Sequence, residues 1–334
     1  MKKPGVQALV EQLSAAHPLQ STGGNYKRDF ISAAESVYPA EHVEKILQEK
    51  LFIPNDSRFK LDRYLQSAAE LSVQNDLKQN PSARNFEIDK KIHPPKNVEA
   101  FYEAGGAVVS LEVKCAEEKF PDPNSLVLKS AGRVPDFSKK AGVLHELFRD
   151  SQLGHVLETD KNMDNAMKDF LLSANAKFSP SSSVNSLNIL FVACGNIGNI
   201  NNWWLTLHGS HELFAVDSYY PKEEFELVDI VILSNLKFLH TEAREHHDWT
   251  LKNAFLFPCV NPHGRKSLVG SMVRDGLGVF NHHLYRFYNY VPKNPLAPSS
   301  AFLKIGAYYV ESLDENEKLR YFPVQPPKKN RTGA

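Results

Sequence analysis

Glu112 and Lys114 stand two apart near the end of an apolar run, "VVSLEVKC", residues 108–115. Side chains alternate along a strand, so residues two apart share a face. Val109, Leu111, Val113 and Cys115 form one side, suited to a core, and Val108, Ser110, Glu112 and Lys114 form the other. A carboxylate and an ammonium are therefore expected to project together from one strand end. Taken alone, the pair reads as an ion pair on a solvated face. Its surroundings add to it. Glu99 lies thirteen positions upstream in "NVEAFYEA", and Gly105-Gly106 between the two runs signals a hairpin. In an antiparallel hairpin the start of the first strand lies beside the end of the second, which brings Glu99 to Glu112 and Lys114. Asp89, in "NFEIDKKI" and 23 positions before Glu112, is the alternative first carboxylate. Glu99 is preferred because only it leads into the hairpin partner of the Glu112 strand.

Two carboxylates and a lysine at one strand end suit a hard divalent cation and a nucleophilic water. Mg²⁺ takes oxygen ligands and keeps several waters, and it offsets charge on a phosphoryl group. Lysine, a compact charge on a flexible stem, can orient the water and stabilise a pentavalent phosphate.

An acidic residue at the head of one strand, a turn, and an apolar strand ending E-x-K resembles the pattern of the PD-(D/E)xK, or restriction-endonuclease-like, nuclease superfamily. The resemblance covers Leu61 to Cys194 as an order of elements, and its specific part is Glu99, Glu112 and Lys114. It departs from the usual pattern in carrying Val98-Glu99 where proline-aspartate is common. The resemblance implies that Glu99 and Glu112 ligate Mg²⁺, with Mn²⁺ able to substitute, and that Lys114 positions the water. It also implies a glutamate on the helix before the first strand, and Glu70 in "QSAAELSV" is placed for it. A later helix commonly lends polar groups, for which Asp164, Asn165 and Lys168 are candidates; Asp164 and Lys168 also read as an ordinary i,i+4 helix pair.

The elements that must hold these residues follow from periodicity. The first 60 residues read as helical, in "VQALVEQLSAA", "YKRDFISAAESVY" and "AEHVEKILQEKL". "LDRYLQSAAELSVQNDLKQN" is a long helix ending near Asn80-Pro81, and three β-like runs follow it. Residues 119–158 read as loops around a short helix at "KAGVLHELFRD", and residues 162–178 as an amphipathic helix. "LNILFVAC" is continuously apolar, as befits a strand covered on both faces; "ELFAVDS" and "VDIVILSN" are further strand candidates. The order describes an α/β protein with a mixed sheet flanked by helices. The expected organisation is an N-terminal helical region (1–60), a nuclease core (61–265), a C-terminal extension packed on it (266–322) and a proline-rich, basic, disordered tail (323–334).

Composition bounds the partners. Lys plus Arg and Asp plus Glu both number 39, so the formal net charge is zero and a nucleic-acid surface must be a local patch. Lys90, Lys91 and Lys96, just before the Glu99 strand, are candidate DNA contacts, with Lys168. The three cysteines are far apart and lack metal-ligand spacing, which points to a reducing compartment. No run reaches the roughly 18 apolar residues of a spanning helix, so a cytoplasmic location and no membrane partner are expected. DNA is the expected partner ahead of RNA; a homodimer or a defence-system protein is the expected protein partner.

Other features carry rival readings. Gly195 and Gly198 after "LNILFVAC", with Asp217 further on, resemble part of a nucleotide or S-adenosylmethionine pocket. The fingerprint is incomplete, and the segment between the strand candidates is short for a crossover. His246-His247-Asp248 reads as solvated or partly packed, since adjacent helical residues point about 100 degrees apart. The aromatic-basic stretch 282–293 could stack on a nucleic acid or pack under the C-terminal segment. A catalytically inactive nuclease-fold scaffold is the remaining alternative.

Overall fold

A computed structural model describes residues 5–22, 24–54, 57–115, 126–129, 143, 146, 157–160, 163–179, 185–264 and 276–280 of the chain. The predicted helix at "KAGVLHELFRD", the stretch 282–293 and the tail lie wholly or largely outside them.

Four helices come first: α1 (Val6–Val10), α2 (Pro18–Ser21), α3 (Gly24–Val37) and α4 (Val43–Leu51). The first apolar repeat gives only the five residues of α1, and turns carry the chain on to Pro18. The long pattern forms α5, Leu61–Gln79. Its Ala69, Val73 and Leu77 face the sheet, whereas Tyr64, Leu65, Ala68 and Leu71 face α1, α3 and α4. Being covered on both sides, α5 buries polar residues as well, among them Ser72, Gln74 and Asn75.

The chain then enters the sheet through β1 (Arg84–His93), β2 (Lys96–Ala104) and β3 (Ala107–Cys115), an antiparallel meander. Ala104 pairs with Ala107 across Gly105 and Gly106, which sit at φ 56° and 88°. Two consecutive positive φ values are what a two-residue hairpin with the twist of its strands needs, and glycine adopts them without a Cβ clash. The region predicted as loops contains two short parallel strands, β4 (Leu126–Lys129) and β5 (Leu157–Asp160), in a separate sheet. After α6 (Met163–Asn175), β6 (Ser186–Ala193) lies parallel to β3; α7 (Ile197–His208) crosses over to β7 (Ile230–Ser234), parallel to β6. The short α8 (Leu236–Thr241) leads to β8 (Leu256–Val260), antiparallel to β7.

The main sheet thus runs β1-β2-β3-β6-β7-β8, a mixed α/β sheet. Every residue of β6 is buried. Leu187, Ile189, Phe191 and Ala193 join the cluster under α5, while Leu190 and Val192 join Met167, Leu171, Trp203 and Trp204 of α6 and α7. Leu277, Val279 and Phe280 also pack into the α5-side core. "ELFAVDS" is not a strand. It is a run of turns in which Leu213, Phe214 and Ala215 are buried and Val216 is exposed. All three cysteines are free thiols, and no described helix is long and apolar enough to cross a membrane.

A buried polar network joins the N-terminal helices to this core. Tyr26 Oη lies 2.8 Å from His240 Nδ1 and 3.2 Å from Tyr64 Oη. Ser72 Oγ lies 3.0 Å from His240 Nε2 and 3.1 Å from His247 Nε2, and Trp249 donates to the Tyr26 carbonyl at 2.9 Å. The adjacent histidines therefore part company: His247 is 2% exposed, while His246 is exposed. Burial pulls His247 down from 6.5 to about 4, against Asp248; it lowers His240 too, reinforced by His247 and Arg244. Because an unfolded histidine binds its proton near pH 6.5, the stability held by neutral His247 is full above that value and is lost as pH falls toward 4. A shift of that size corresponds to about 3 kcal/mol. Urea unfolding between pH 7.5 and 4 should show this loss, and His247→Gln should flatten it; an equally steep loss in the variant would assign it elsewhere.

Candidate active site

The β2–β3 ladder ends at Ala100↔Leu111, and Glu99 and Glu112 are the next residue on each strand. They meet at the sheet end to which α5 is clamped. Gln66 of α5 donates to the Val113 carbonyl at 2.9 Å and accepts from Cys115 N at 2.6 Å. Its amide also donates to Glu70 Oε1 at 2.8 Å. One turn beyond Glu70, Gln74 donates to the Glu99 carbonyl at 3.0 Å. The helix thus fixes Glu70 and both strand ends together.

Three lysines thread these carboxylates. Glu112 Oε1 lies 2.8 Å from Lys114 Nζ and 2.6 Å from Lys177 Nζ. Lys177, just past α6, also reaches Glu99 Oε1 at 3.5 Å. Lys50, in the last turn of α4, lies 3.3 Å from Glu70 Oε2, 3.6 Å from Asp89 Oδ1 and 3.7 Å from Glu99 Oε2. The structure brings together Glu99, Glu112 and Lys114, as the hairpin spacing predicts, and adds Glu70, which the resemblance implied. Asp89 joins them rather than competing with Glu99: it sits at φ 50° in β1, whose pairing with β2 is irregular, and it is tied in through Lys50. Lys50 and Lys177 carried no sequence signal, since both arrive by tertiary packing from outside the strand motif.

One expectation is corrected. Glu112 was expected on a solvated face, yet it is 0% exposed, because α6 and the turn after it cover that face of the sheet. Burial raises its pKa, opposed by Lys114 and Lys177. Burial and the nearby Glu99 push Glu70 up to about 7, against Lys50 and Gln66. For Lys50 and Lys177, burial acts downward, but the carboxylates around them outweigh it and both remain charged.

The candidate DNA contacts divide. Lys91 and Lys96 are exposed on β1 and β2. Lys90 pairs with Glu87 at 2.7 Å and lies 3.5 Å over the Phe101 ring. Lys168 is 4% exposed, its ammonium 3.8 Å from Asp169 and 5.3 Å over the Tyr220 ring, so packing of α6 removes it from the surface that a phosphate would meet. The side chains of Asp164 and Asn165 lie outside the described residues. Asp217 ends no strand; it is exposed and pairs with His211 at 2.6 Å.

Does this donor set fit a hard divalent ion? Its oxygens are of the right type. Glu99 Oε2 and both Glu112 oxygens are buried without a well-directed hydrogen bond; the close lysines satisfy Glu112 Oε1 by charge alone. Orphaned buried carboxylate oxygens are costly, and a bound ion is one of the few things that satisfies them. Among the described residues, no three His, Cys, Asp or Glu side chains already stand in metal-holding geometry; here ammonium groups stand between the carboxylates. No family model matches the chain, and neither a curated protein nor a solved structure proved similar to it.

Proposed function

We propose that the chain is a metal-dependent endonuclease of the restriction-endonuclease-like class, acting on phosphodiester bonds in DNA. The observation that carries the reading is Glu112, a fully buried carboxylate with an orphaned oxygen, at the meeting point of Glu99, Lys114 and Lys177. The order of elements supports it. Helix α5, the antiparallel β1-β2-β3, helix α6 and the parallel strand β6 follow the succession that the family pattern implies.

On this reading Glu99 and Glu112 would hold Mg²⁺ or Mn²⁺, assisted by Glu70 from α5. When bound, the ion offsets charge on the phosphoryl group and acidifies a water. Lys114 would orient a water for in-line attack; as the water oxygen bonds to phosphorus it would shed a proton to solvent, and the bond to the 3′ oxygen would break. The products are a 5′-phosphate and a 3′-hydroxyl that takes up a proton. Lys91 and Lys96 would meet the DNA backbone, the cytoplasm is the expected setting, and a second copy or a defence-system protein is the expected protein partner.

A DNA-binding scaffold on the same fold is a second reading. It is favoured by the three ammonium groups that already neutralise the carboxylates. Incubation of plasmid DNA with purified protein in Mg²⁺, Mn²⁺ or EDTA separates the two. The nuclease reading expects nicking with either ion and none in EDTA; retention of DNA without cleavage under all three conditions leaves the scaffold.

A further inference from the structure

We infer that Lys50 supplies, from the N-terminal helical region, the positive charge that a second metal ion would otherwise bring, so that the site takes one divalent cation per chain. This rests on the nuclease reading above and concerns how that site is charged.

Glu99 divides the cluster in two. Its Oε1 faces Lys177 at 3.5 Å, and its Oε2 faces Lys50 at 3.7 Å. On one side lie Glu112, Lys114 and Lys177; on the other lie Glu70, Asp89 and Lys50. The two sides differ in how their cations sit. Lys177 hugs Glu112 at 2.6 Å and is far looser to Glu99, so it behaves as half of a pair. It follows the end of α6, in a turn, and Lys114 holds the same Glu112 oxygen at 2.8 Å.

Lys50 behaves as a central cation. Its ammonium stands 3.3, 3.6 and 3.7 Å from three carboxylates that come from α5, β1 and β2. Near-equal distances to several oxygens from separate elements are the arrangement of an ion in a cage. The helix turn that carries it is anchored, because Leu47 and Leu51 of α4 are both 0% exposed. A second observation marks the place as built for a charged group and its waters. Tyr38, 5% exposed, keeps its hydroxyl without a hydrogen-bond partner, within the field of Lys50, Glu70, Asp89 and Glu99.

An ammonium tethered in the same chain is present at high effective concentration, and a divalent ion must displace it to enter. Without Lys50, three carboxylates would face one another in a partly buried place, where like charges interact strongly. A second ion would then be the way to neutralise them.

Mn²⁺ titration of the full chain, followed by electron paramagnetic resonance of the free ion, reads the stoichiometry directly. Wild type and Lys50→Arg should each bind one Mn²⁺ per chain, and Lys50→Met should bind two, with circular dichroism confirming that the variants are folded. Two ions in wild type or Lys50→Arg overturn the inference, as does one ion in a folded Lys50→Met. Should Lys50→Met fail to fold, the wild-type count decides alone: one supports the inference and two overturn it. A wild type that binds no Mn²⁺ overturns the nuclease reading itself, a result distinct from a wild type that binds two.

Discussion

Glu112→Gln is expected to reduce divalent-dependent cleavage of plasmid DNA by roughly a thousand-fold, the scale on which a preorganised electrostatic contact is lost. Glutamine keeps the volume of a side chain that is 0% exposed, so the sheet should remain folded. Alanine is the poorer probe. It would leave Lys114 and Lys177 facing each other across a cavity, and breaking a buried pair by removing one partner is destabilising in its own right. The amide also cannot replace the carboxylate as partner of both ammonium groups. Mn²⁺ affinity should fall with activity, while the far-ultraviolet circular dichroism stays that of wild type. Cleavage at the wild-type rate would remove Glu112 from the chemistry.

The second large effect is expected at Lys114. Lys114→Met keeps the stem and removes the charge that is to orient the attacking water, so turnover should drop on the order of 10²–10⁴-fold, the usual worth of a positioned proton-handling group. Metal binding should persist, because Lys114 donates no ligand to a cation. That split, turnover lost and Mn²⁺ retained, distinguishes it from Glu112→Gln. Cleavage that survives in Lys114→Met and disappears in Lys177→Met would give the orienting role to Lys177, which lies closer to the same Glu112 oxygen.

The motif itself was legible because it depends on local rules. Alternation along β3 puts Glu112 and Lys114 on one face, and the Gly105-Gly106 turn fixes the β2–β3 register that brings Glu99 to them. Glu70 came from the resemblance, which implies a glutamate on the helix before the first strand; Val73 and Leu77 beside it pointed only to partial cover. Burial of Glu112 was not legible, because nothing in its own strand tells that α6 and the turn after it will close over that face. Lys50 and Lys177 belong to the same class of omission. Each sits at a helix end among ordinary surface-type residues, and only the packing of α4 on α5, and of α6 on the sheet, delivers them.

Apolar content proves a limited guide to the strands, both in the candidate "ELFAVDS" and in β8, which the sequence reading passed over. "ELFAVDS" is apolar because Leu213 and Phe214 pack beside α7, not because they have a sheet neighbour. Strand β8 carries Pro258, which argues against a central strand. Among the described residues it forms the sheet edge, paired with β7 alone, where a missing N–H is tolerated. The crossover from β6 was likewise longer than the strand candidates implied, because the next true strand is β7 and α7 fits in between.

Anomalous diffraction from crystals soaked in Mn²⁺ would locate the ion among these carboxylates. One strong Mn²⁺ peak is expected between the Glu99 and Glu112 carboxylates, with Lys177 turned away from Glu112 and Lys50 still held among Glu70, Asp89 and Glu99. Crystals that take up no Mn²⁺ there, with Lys177 unmoved on Glu112, would contradict the nuclease reading.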